Sequence, residues 1–169
     1  ARCFREWMRG NTSTTYSRMH RRRSSARILH PGMIDPIPNI SVLVDTSCSM
    51  DETIGPKVLA EVQGCLRAGA GSSGTVLVCD AKMHEIKKVK RVSAMSFSGG
   101  GGTDMRIGIA AAAKLKNRPD YLVILTDGYT PWPSAPPPRM RVIIGLIGKH
   151  KAPLSDMPSW AKVIDIPMD

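Results

Sequence analysis

The chain has 169 residues, enough for one domain with a real core. Hydrophobic residues make up 42% but aromatics only 5%, so the core must be built from Val, Ile, Leu, Met and Ala, and no apolar run is long enough for a bilayer-spanning helix. The net charge of +10 admits a nucleic-acid partner, yet it is unevenly placed: residues 1–38 hold eight Arg against Glu6 and Asp35, and the rest of the chain carries only +4.

Residues 1–38 read as an irregular basic arm or the remnant of an upstream domain. Thr and Ser fill 11–17, Arg21, Arg22 and Arg23 form a charge run, and Pro31, Pro36 and Pro38 punctuate the end. The opening residues lack both an initiating Met and the apolar core of a signal peptide, so a fragment or a processed product is expected. Cys3, Cys48, Cys65 and Cys79 form no CxxC pair, which argues against a zinc ribbon and for buried free thiols. A reducing, cytoplasmic setting is the expectation that follows.

From residue 39 onward the pattern is that of a folded domain. Residues 40–44 are rich in β-branched side chains and predict a central strand. Residues 51–70 predict a helix, with Pro56 in its first turn and Val58, Leu59, Val62, Cys65 and Leu66 on one face. Residues 75–80 and 83–89 predict two strands joined by a link short enough for an antiparallel hairpin, the second an edge strand studded with Lys. A glycine-rich loop at 98–102 leads to Thr103, which can cap a helix over 104–115; Asp104 is suited to stabilising that helix N-terminus.

Residues 121–126 and 141–147 predict two further strands, separated by the stiff proline-rich stretch PWPSAPPP. A short helix at 155–162 and a last strand at 163–166 complete the pattern. Strand–helix alternation with buried strands indicates an α/β fold: a doubly wound, mostly parallel open sheet with one antiparallel edge strand.

Three segments carry the chemistry. Asp45, Ser47 and Ser49 follow the first apolar strand, Thr103 follows the glycine-rich loop, and Asp127 follows the strand at 121–126. In open α/β sheets, ligands bind outside the carboxyl ends of the strands, where two of these segments lie. Three hydroxyls and two carboxylates are hard oxygen donors suited to a divalent cation, Mg²⁺ first, with Mn²⁺ and Ca²⁺ as alternatives. Such a set leaves the ion short of negative charge, so an Asp or Glu of a partner protein can complete it. Taken singly, Asp45, Ser47 and Ser49 could instead serve as helix caps, and TDG as a turn. Asp80 ends an apolar strand, where turn chemistry is its default role.

The three segments resemble the metal-ion-dependent adhesion site of von Willebrand factor A (VWA) domains, over residues 39–169. The resemblance implies that Ser47, Ser49 and Thr103 bind the ion through hydroxyls, with Asp45 and Asp127 holding it directly or through water. More closely, TYSRMHRRR, ILHPG, GGGGTDM and LTDGYTPWP are similar to the bacterial VWA-like domain at the C-terminal end of metallopeptidase-like proteins. Those are often encoded beside MoxR-type AAA+ ATPases, which the resemblance makes a candidate partner. Two departures stand out: residues 93–98 are too short for the helix that typically precedes the Thr loop, and the proline-rich loop is unusual beside a metal site.

The function expected is therefore metal-dependent protein interaction without catalysis. HExxH, GxSxG and P-loop patterns are missing from the sequence, and His20, His30, His84 and His150 are scattered without ligand spacing. The second reading is a nucleic-acid-binding VWA protein that uses the Arg-rich arm, although Phe4, Trp7 and Tyr16 are the only aromatics there for base stacking.

Overall fold

The computed structural model describes residues 13–19, 31–34, 38–45, 59–64, 75–79, 104–148 and 150–167. They form two sheets. The smaller is an antiparallel pair of β1 (Ser13–Met19) and β2 (Pro31–Ile34), with a register shift between Thr15 and Met19. This corrects the reading of residues 1–38 as irregular. The segment STTYSRM lacks apolar alternation, but Thr and Tyr favour extended backbone, and Pro31 stands at the first position of its strand, where it is tolerated.

The larger sheet holds β3 (Ile40–Asp45), β4 (Thr75–Cys79), β5 (Tyr121–Thr126), β6 (Arg141–Leu146) and β7 (Lys162–Asp165), in the order β4-β3-β5-β6-β7. All four pairings are parallel. The antiparallel edge strand expected at 83–89 lies outside the described residues. The order reverses direction between β3 and β5, because the chain steps outward to β4 and then crosses back. That reversal is the topological switch point of a doubly wound sheet. β3 and β5 are buried along their whole length, which is why both read as continuous apolar runs.

Among the described residues two α-helices accompany the sheet, α1 at 59–64 and α2 (Met105–Ala113). α1 contributes Val62, which is fully buried. α2 presents Met105, Ile109 and Ala112 to a core that includes Leu43, Leu77, Leu122 and Ile124. It approaches closely: a Cβ at Gly108 would come within 2.7 and 2.9 Å of the Leu43 methyls. The helix is capped by Asp104, whose backbone is extended and whose carboxylate accepts the Arg106 N–H at 3.0 Å. The cap is thus Asp104 rather than Thr103, and the helix ends at Ala113, shorter than expected.

Beyond β5 the crossovers are not helical. The proline-rich loop between β5 and β6 takes the place of a helix and lays Trp132 against the α2-side core. Its indole Nε1 is alone among the buried side-chain nitrogens and oxygens of the described residues in lacking a hydrogen-bond partner. Between β6 and β7 the helix expected at 155–162 is reduced to one 3₁₀ turn, Leu154–Asp156. Pro153 starts it, and Pro158 leaves no room for another turn before β7 begins at Lys162. Cys79 is a buried free thiol. Among the described residues no helix is long and apolar enough to cross a membrane.

Candidate metal centre at the carboxyl edge of the sheet

The switch point brings Asp45 and Asp127 to one rim. Asp45 is the last residue of β3, and Asp127 follows the last residue of β5. The two strands pair in register up to Val44 opposite Leu125, so the acids emerge together. Asp45 is only 2% exposed, an unusual place for a carboxylate. Thr126 Oγ1 donates to Asp45 Oδ2 at 2.7 Å and accepts from the Gly128 N–H at 3.0 Å. One buried hydroxyl therefore fixes the Asp45 carboxylate and shapes the turn that carries Asp127.

That turn is tightly specified. Gly128 has φ +94°, and a Cβ there would meet Ala152, Leu146 and Met157 at 2.9–3.0 Å. The Asp127 carboxylate accepts the Tyr129 N–H at 3.1 Å, and its own carbonyl receives the Ala152 N–H at 2.9 Å. Burial pushes the Asp127 carboxyl above its ordinary range, and the nearby Asp45 charge pushes it the same way; the Tyr129 N–H opposes both.

A third element reaches the same edge. The first helical N–H of α2, from Met105, donates to Thr130 Oγ1 at 3.2 Å, three residues beyond Asp127. The Cys79 thiol, at the end of β4, contacts the Asp104 carbonyl at 3.7 Å. The carboxyl ends of β3, β4 and β5 and the N-terminus of α2 thus converge. Asp104 itself is engaged elsewhere: its carboxylate pairs with Arg106 at 2.8 Å, which holds its pKa below the ordinary range.

Of the five residues expected to form the site, the structure places Asp45 and Asp127 side by side. Ser47, Ser49 and Thr103 lie outside the described residues, as does Asp80. Among the described residues no three His, Cys, Asp or Glu gather into a ligand group. The donor chemistry fits a hard divalent ion: two neighbouring carboxylates, one deeply buried, gain from a positive charge between them. Sequence reasoning missed Thr126 and Thr130. Thr126 is legible in hindsight as the one hydroxyl ending the apolar run YLVIL; Thr130 left no such signal.

A family model described as VWA-like domain (DUF2201) matches residues 40–167. The chain belongs to that family. A search of curated proteins finds no match. The match spans the five-stranded sheet from the first residue of β3 to just past β7, so the switch point and its two acids lie within the VWA-like domain. Membership supports, at its most general, a protein-interaction module.

Proposed function

We propose that this VWA-like domain binds a partner protein through a divalent cation held at the carboxyl edge of the sheet. Asp45 and Asp127 would supply the negative charge, and Ser47, Ser49 and Thr103 the neutral oxygens. Mg²⁺ suits such a set, with Mn²⁺ and Ca²⁺ as alternatives. When bound, the ion would offer an open position to an Asp or Glu side chain of the partner. The observation that carries this reading is the pairing of a buried and a half-buried carboxylate at the switch point, where the carboxyl ends of β3 and β5 meet the N-terminus of α2.

The chain's own groups prepare that site. Thr126 orients Asp45, Gly128 lets the backbone turn, and the Tyr129 N–H holds Asp127. The bond from Met105 N–H to Thr130 ties the start of α2, and with it the segment after Thr103, to the same edge.

The resemblance to domains encoded beside MoxR-type AAA+ ATPases names the first partner to try. Immobilised wild-type chain should retain that ATPase in Mg²⁺ and release it in EDTA, and Asp45→Ala should not retain it at all. Retention that is equal in EDTA and in Mg²⁺ would overturn cation-dependent binding.

A further inference from the structure

A second site lies at the opposite end of the sheet. β6 starts at Arg141, but its ladder with β7 starts only at Ile143, opposite Lys162. Arg141 and Val142 therefore stand without a β7 residue across from them. This offset opens a pocket of about 340 Å³, lined by Tyr121, Met140, Arg141, Trp160 and Lys162 among others. The size falls at the low end of small-molecule sites, roughly 300–1,000 Å³, and suits a single ring with one substituent.

The walls state the chemistry. The Arg141 guanidinium lies 5.8 Å from the centre of the Tyr121 ring, and its Nη1 donates to the Tyr121 hydroxyl at 3.2 Å. It is thus oriented by the ring hydroxyl, while its side chain stays exposed. Among the described residues no carboxylate pairs with Arg141. Lys162 also lines the pocket. Trp160 forms an apolar wall, locked by its Nε1 bond to the Pro133 carbonyl at 3.1 Å. Met140 supplies a polarisable contact for a ring. A fixed guanidinium beside an indole matches a planar anion with an apolar body.

The geometry points to a binding site for a small aromatic carboxylate between the N-terminal ends of β5, β6 and β7. It does not depend on the cation centre, which lies at the far end of β5, a strand of six residues or about 20 Å.

Benzoate titrated into the full chain, followed by ¹H–¹⁵N NMR, tests it. The Trp160 indole and Arg141 side-chain signals should shift saturably, whereas benzyl alcohol should leave them unmoved. Arg141→Gln should weaken benzoate at least tenfold, Lys162→Gln by less, and Asp45→Asn not at all. No saturable shift with millimolar benzoate, equal response to benzyl alcohol, or full affinity in folded Arg141→Gln and Lys162→Gln would each overturn the proposal.

Discussion

The two ends of the central strands treat their polar groups in opposite ways. At the N-terminal end, Asn39 donates its backbone N–H to Asp120 Oδ2 at 2.8 Å and its side-chain amide to the carbonyls of Asn117 and Arg118 at 3.1 Å. The Asp120 N–H returns a bond to the Asn39 carbonyl at 2.8 Å, and Arg118 Nε closes the end of α2 through the Ala113 carbonyl at 3.0 Å. Asp120 is answered by a donor, and the network joins β3, α2 and β5. At the carboxyl end, two acids lie near each other, and burial, joined by the Asp45 charge, pushes the Asp127 carboxyl above its ordinary range. The first arrangement holds strands together. The second sets two carboxylates, one of them buried, close together, an arrangement that suits a site kept for binding rather than for stability.

Substitutions can sharpen this contrast. The largest loss is expected from Thr126→Val, which removes the hydroxyl donor from a buried carboxylate and strips the Gly128 N–H of its acceptor. Denaturant unfolding should show a loss of about 2–3 kcal/mol. Asn39→Ala should cost less, about 1–2 kcal/mol, because its amide partners are carbonyls near the surface; cation binding should be unaffected. A loss of binding in Asn39→Ala with stability intact would break the division between the two ends.

Asp127→Asn should have the smallest effect on stability, and of opposite sign. A carboxyl with a raised pKa holds its proton more tightly in the folded chain than in the unfolded one. Its penalty is absent below the ordinary carboxylate range, grows as pH rises through the folded pKa, and is complete at neutral pH. In EDTA the variant should therefore melt slightly higher than wild type at pH 7 and lose that advantage near pH 3. In Mg²⁺ the order should reverse, since the ion stabilises only the chain that binds it.

Much of the sheet was legible because parallel, doubly covered strands leave continuous apolar runs: β3, β5 and β6 start where ISVLV, YLVILT and RVIIGL predict. The antiparallel pair β1–β2 was hidden because its Thr, Ser and Arg residues carry no period-two apolar signal. The non-helical crossover after β5 was visible as proline, but its role as a cover for the sheet was not. That role rests on Trp132 reaching the core, a tertiary event with no local pattern. In the candidate site, Asp45 and Asp127 could be read from their positions after apolar strands. Thr126 showed only as the hydroxyl that ends an apolar run; its bond to Asp45 forms only where β3 lies beside β5.

The central claim is that the paired acids of the switch point hold a divalent ion. Calorimetric titration of Mn²⁺ into the wild-type chain and into Asp45→Asn, each shown to be folded by circular dichroism, addresses it directly. The account predicts one saturable site in the wild type, competed by Mg²⁺ and lost in the variant. Binding of equal strength in both, or none in the wild type, would contradict it.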